Sequence, residues 1–213
     1  MNKSARLIIT VVLALGVIAL AIYLCLCIRK PVKFQEEYDA RSVLVINKLK
    51  DIRALQEQYK NTNGRFCSSI DSLIDFAQEG KALLVKKTGG VPDNMTEAEA
   101  VAKGFLRRDT TIVNPLDKLY GEGKLITPKD KIKDLKYIPY SEGEEFIMGA
   151  DVVDKGGIPV AVFEAKAPIE SYTKGMDEQT VINLRTELEQ KENGYAGYKV
   201  GSLDQTITDG NWE

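Results

Sequence analysis

The first pattern along the chain is an apolar run, uninterrupted by charge, from Leu7 to Ile28. As a helix it would be about 33 Å long, enough to cross a hydrocarbon layer of about 30 Å. A cleaved signal has a shorter apolar region, about 7 to 15 residues, and ends at small residues. This run ends in Tyr23-Leu24-Cys25-Leu26-Cys27-Ile28, and neither cysteine follows a small residue, so the bacterial lipoprotein pattern is not met either. The pattern predicts a short tail (residues 1–6) and a retained transmembrane helix over 7–28.

Past Pro31, which can bend or restart the chain, the spacing of apolar positions changes. Tyr38, Val45, Leu49, Ile52, Leu55 and Tyr59 recur at intervals of three, four or seven, with Lys48, Lys50, Asp51, Arg53 and Glu57 between them. This predicts an amphipathic helix over 34–61 with one apolar stripe. The stripe is either a seam for assembly with another protomer or the face that packs on the chain's own domain.

Asn63-Gly64 stops that helix, and Ser68-Ser69 offer an N-cap to a short helix carrying Ile70, Leu73, Ile74 and Phe76, closed by Gly80. Thr96 and Glu99 form a capping-box pattern ahead of Ala98 to Lys103. The signal from 105 to 135 is mixed: Ile112-Val113 suits a strand and Thr127-Pro128 a helical turn. Three extended runs follow, Lys136 to Tyr140, Glu145 to Val153 and Ile158 to Ala165, separated by turn residues, and they predict an antiparallel meander. A helix is expected from Met176 or Asp177 to about Glu192, stopped by Asn193-Gly194, with Val181, Leu184 and Leu188 on one face. The fold class is therefore α+β: the transmembrane helix continues into the amphipathic helix, a head over 62–194 combines short helices, an antiparallel sheet and a C-terminal helix, and a loop-rich tail follows over 195–213.

Composition narrows the function. The 29 basic and 31 acidic residues are interspersed, leaving a formal charge of -2 and no support for nucleic-acid binding. Histidine is absent, which excludes a histidine-dependent triad or zinc site. Cys25 and Cys27 lie in the apolar run, so Cys67 is the soluble part's one thiol and no disulfide framework is expected. Lys3 and Arg6 on one side of the run face Arg29, Lys30 and Lys33 on the other, nearly a tie under the positive-inside rule. The short tail favours a signal anchor, with the tail cytoplasmic and the head outside.

Candidate chemistry is sparse. Glu144, Glu145 and Asp151 could pair as acid and base or hold calcium, but adjacent strand residues point to opposite faces and a solvated turn explains them better. Lys87-Thr88-Gly89-Gly90 and Asp154-Lys155-Gly156-Gly157 lack phosphate-loop spacing and read as turns. Cys67 has no histidine to activate it, and capping explains Ser68 and Ser69 better than a Ser-Lys dyad, for which no spacing singles out a lysine. Asn94-Met95-Thr96 is sequon-like but matters only in a secreted eukaryotic domain. Trp212 is expected either to dock on a partner or to fold back on the head. No catalytic, cofactor or metal residue is assigned.

The phrase Ile52-Arg53-Ala54-Leu55-Gln56-Glu57-Gln58-Tyr59-Lys60-Asn61-Thr62-Asn63-Gly64-Arg65-Phe66, followed by Ser68-Ser69-Ile70-Asp71-Ser72-Leu73, resembles the helix exit of type IV pilins and type II secretion pseudopilins. The resemblance covers roughly the first 80 residues. Met1 to Thr10 lacks the prepilin peptidase site and the glutamate that follows it in that family. The second half, including Val162 to Pro168 and Gly210 to Glu213, resembles membrane-anchored bacterial envelope proteins without assigned function. The resemblance implies a non-catalytic, single-pass assembly component of the bacterial inner membrane, with a periplasmic head. Its partners would be the lipid bilayer and either itself or other envelope membrane proteins, and it would need no cofactor. The alternatives are a membrane-tethered module binding a peptide, glycan or cell-wall ligand, and, behind it, an enzyme using carboxylates or a Ser-Lys pair.

Overall fold

The computed structural model describes residues 3–90, 95–191 and 194–213. Asn94 of the sequon-like triplet and Asn193 of the expected helix stop lie outside them. One helix dominates: α1 runs from Lys3 to Asn63, 61 residues, or about 90 Å at 1.5 Å per residue. The apolar stretch over 7–28 continues into the amphipathic stretch over 34–61, as expected, and the two form a single helix. Pro31 lies inside α1 and does not restart it, although its ring costs one backbone hydrogen bond to the preceding turn.

The two halves of α1 meet different surroundings. Val11, Leu13, Val17, Leu20 and Tyr23 are each at least half exposed, whereas Val45, Leu49, Ile52 and Leu55 are fully buried. The remaining elements wrap the second half. They are α2 (Ile70–Glu79), β1 (Ala82–Gly89), α3 (Glu97–Ala102), β2 (Leu106–Val113) and α4 (Pro115–Gly121). A 3-10 helix (Lys129–Lys136) follows, then β3 (Ile147–Asp154), β4 (Pro159–Pro168), α5 (Ile169–Tyr172), α6 (Glu178–Gln190) and β5 (Gly197–Gly201). The arrangement is α+β.

The sheet that builds the core is antiparallel in the order β3-β4-β5. Alternation on β4 puts Phe163, Ala165 and Ala167 against α1. Small alanines let the helix approach the sheet closely, while Phe163 meets Phe66 with ring centroids 4.6 Å apart. The meander differs from expectation in two places. Lys136 to Tyr140 is not a strand: Lys136 ends the 3-10 helix, and Tyr137 makes only an isolated bridge to Glu145.

The third strand comes instead from the supposed loop-rich tail. Gly197 and Gly201 adopt φ of 141° and 73°, and a Cβ on either would fall within about 2.3 Å of a β4 carbonyl, so only glycine lets β5 pair so closely. The tail then folds back: Val200 bridges Gly210, the Asn211 backbone N–H donates to the Lys199 carbonyl, and Trp212 packs on Tyr198.

A second sheet consists of β1 and β2 alone, paired from Ala82↔Val113 to Gly89↔Leu106. It projects as a hairpin whose connection contains α3, started by the expected Thr96–Glu99 capping box. Helix α4 has an Asn114 cap with Pro115 at its first turn, a start signal inside the stretch of mixed pattern. Helix α6 starts where expected, with Asp177 as its cap, but no α6 residue is fully buried, and Leu184 and Leu188 only lean on the core.

Candidate functional site

The stripe of Tyr38, Val45, Leu49, Ile52, Leu55 and Tyr59 lies inside the chain's own domain. All but Tyr59 are buried, and Tyr59 packs edge-on against Phe76 at 4.9 Å. Self-packing therefore occupies the face that an assembly seam would need, and Leu49 is the spine of the core. Two polar residues of the helix also turn inward, one of them, Asp51, from the face expected to be polar. Asp51 is fully buried and accepts hydrogen bonds from the Ile126 and Thr127 backbone N–H groups, both at 2.8 Å. Gln56 clamps Cys67, donating to its carbonyl at 2.6 Å and accepting from its N–H at 2.9 Å. An ordinary polar letter in a helix pattern gives no hint of either role.

Two apolar residues of α1 stay uncovered, Val43 on the far side of the helix from the stripe and Leu44 on its flank. Val43 and Leu44 are about half exposed, and Leu44 borders a mainly apolar groove of about 520 Å³ lined also by Ile126, Pro128, Tyr137 and Pro139. Lys48 closes the groove floor by donating to the carbonyls of Asp134 and Tyr137. Burial lowers its amine pKa, with Asp134 and Asp51 opposing the shift.

The chemistry that the sequence raised is dispersed. Glu145 pairs with Lys136 at 2.8 Å, Glu144 with Lys174 at 2.7 Å, and Asp151 accepts from the Val152 N–H, so the three carboxylates do not converge. Serine, lysine and carboxylate do meet at Ser171, Lys174 and Glu144. There the serine hydroxyl donates to Glu144 at 2.5 Å, and the ion pair keeps Lys174 protonated by raising its pKa. Lys174 also donates to the Ser141 carbonyl. A protonated lysine bound to a carboxylate cannot accept a serine proton, so this cluster works as a latch between the 141–144 turn and α5.

Cys67 is buried, and its thiol donates to the Ser69 carbonyl. Ser69 holds the N-cap position of α2, yet its side chain makes no capping bond, so the capping explanation fails for that hydroxyl. Ser68, Ser69, Ser72 and Arg65 border a shallow cavity of about 420 Å³. Lys155 donates to Thr206 and Asp154 accepts from the Gly157 N–H, so that Gly-Gly segment is a turn. Lys87-Thr88-Gly89 is instead part of strand β1.

A second notch lies where α1 leaves its apolar run. Lys30, Lys33, Phe34 and Glu37 border it on one side and Met176, Asp177 and Thr180 on the other, enclosing about 420 Å³. Phe34 stacks on Tyr38, and Arg41 ties the α5–α6 turn to the helix by donating to the carbonyls of Tyr172 and Lys174 at 3.0 and 2.9 Å. The Thr180 hydroxyl and backbone N–H both donate to Asp177 Oδ2. These bonds, with help from Lys30, hold its carboxyl below the usual range.

Comparison of the chain with family models, with curated proteins and with solved structures finds no match in any of the three.

Proposed function

We propose that this chain is a non-catalytic, single-pass, membrane-anchored assembly component of a bacterial envelope complex, pilin-like in plan, with its head outside the cytoplasm. One observation carries the reading: the helix that is long and apolar enough to cross a membrane is continuous with the helix that forms the core of the head. A flexible tether would let a binding module search for ligand. A continuous helix instead fixes the head's height and tilt against the bilayer, which suits repeated lateral contact with neighbours.

The contact surface of this reading is not the buried stripe but its exposed flank, Leu44 with the adjacent apolar groove, together with the exposed apolar run in the bilayer. A photo-reactive residue at Leu44, set against one at Leu49, tests it in the intact membrane. Adducts to another polypeptide are expected from Leu44, and only intrachain adducts from Leu49. The groove also supports a second reading, capture of an apolar peptide segment by a tethered module. In that case the Leu44 adduct would be a soluble protein rather than a copy of this chain or another membrane protein.

A further inference from the structure

The notch between α1 and the start of α6 has a fixed depth relative to the apolar run. Lys30 lies two residues past Ile28, Lys33 five and Phe34 six, which places them roughly 3, 8 and 9 Å along the helix axis. The headgroup layer on each side of a bilayer is roughly 5–8 Å thick. If the apolar run spans the membrane, the notch opens into that layer, and Arg41 holds the α5–α6 turn to α1 through the Tyr172 and Lys174 carbonyls.

The charges in the notch are of both signs. Lys30 and Lys33 are exposed and, among the described residues, form no ion pair within 4 Å, although Lys30 stands near enough to Asp177 to help hold its carboxyl down. Opposite them stands Asp177, of which Oδ2 is taken by Thr180 while Oδ1 has no protein partner among the described residues. Glu37, the other acid, is already paired with Arg41. What remains is a pair of cations and one half-used carboxylate around a headgroup-sized cavity.

We propose that this notch is a binding site for the headgroup of a zwitterionic phospholipid with a primary amine, a phosphatidylethanolamine. Lys30 and Lys33 take the phosphodiester, and Asp177 takes the ammonium. Choline lipids offer the phosphate but no N–H to donate to Asp177. Glycerol lipids offer the phosphate but no cation. The notch therefore selects on the amine, whereas simple attraction of juxtamembrane lysines to a negative surface would select on net charge. The site rests on the membrane-spanning reading above.

The test reconstitutes the full chain into vesicles of equal parts phosphatidylcholine, phosphatidylethanolamine and phosphatidylglycerol, then releases it and identifies retained lipid by native mass spectrometry. Resistance to alkaline carbonate is measured on the same vesicles. The expected result is several-fold enrichment of the ethanolamine lipid over both others. Asp177→Asn keeps the α6 cap, since asparagine also caps well, and should abolish the preference for ethanolamine over choline. Lys30→Ala/Lys33→Ala should reduce retention of all three lipids. An inserted, carbonate-resistant protein that retains the lipids equally, prefers the glycerol lipid, or is unaffected by Asp177→Asn overturns the site while leaving the anchor standing. A protein extracted by carbonate overturns the anchor, and the site with it.

Discussion

Asp51 is the side chain on which the joint between α1 and the 122–128 loop depends. Its carboxylate takes two backbone N–H groups at full burial, and hydrogen bonds to a charged acceptor contribute about 1.5–3 kcal/mol each at most. Asp51→Ala should therefore lower stability by about 2–4 kcal/mol, and Asp51→Asn, which keeps one acceptor, by roughly half as much. Urea unfolding of the full chain in detergent, followed through its single tryptophan, measures both.

The tyrosines near the helix exit make a second prediction at this scale. Tyr38 and Tyr172 approach with hydroxyl oxygens 3.4 Å apart beside Tyr198, and burial pushes the pKa of both well above the ordinary 10.0. Burial also pushes Tyr195 up to about 12. Folded-state values above the unfolded ones mean that these groups hold their protons longer in the native state. Their contribution is complete below pH 10 and is lost as pH rises past it. In an alkaline titration at 295 nm, Tyr38 and Tyr172 should ionise only together with unfolding, and Tyr172→Phe should remove part of the loss above pH 10.

At the scale of elements, the head divides into parts held by burial and one part held mainly by its own ladder. The β3-β4-β5 sheet closes on Val45, Leu49 and Ile52 of α1, whereas the β1-β2 hairpin leaves Leu83, Phe105 and Ile112 about half exposed. Replacing residues 84–111 with a two-residue Asn-Gly turn preserves the buried Ala82 and the Leu83↔Ile112 register. The melting temperature should fall by only a few degrees. By contrast, Leu49→Ala should cost about 3–5 kcal/mol. A hairpin deletion as damaging as Leu49→Ala would mean that β1 and β2 support the core.

Elements with a strong local signal were legible in the sequence: the apolar run, the 3.6-residue period of α1, the Thr96–Glu99 box and the start of α6 near Asp177. Elements defined by distant partners were not. β1 pairs with β2 across the connection holding α3, and β5 pairs with β4 across α6, so neither carries its register locally. The stripe was legible as a stripe. Whether it faced a partner or its own sheet depended on Phe163, Ala165 and Ala167, more than a hundred residues away. The groove beside Leu44 and the notch beside Lys33 form between segments distant in sequence, and no spacing within α1 announces them.

For the whole molecule, the central feature is that one helix carries both the apolar run, long enough to cross a membrane, and the core of the head. No loop separates the two, so under the proposed function contacts in the bilayer and substitutions in the head would act on the same helix. Burial sorts the helix residues into those that cannot meet a partner, such as Leu49, and those that can, such as Leu44. An aspartate at Val45 or Leu49 would test folding rather than assembly, because it would bury an unpaired charge.

Photo-crosslinking from Leu44 and Leu49 in the native membrane, with adducts identified by mass spectrometry, decides whether α1 presents a partner surface. Adducts are expected from Leu44 to a second copy or to another membrane protein, and from Leu49 only to its own chain. Exclusively intrachain or solvent-quenched products at Leu44, with the protein intact and inserted, would contradict that surface.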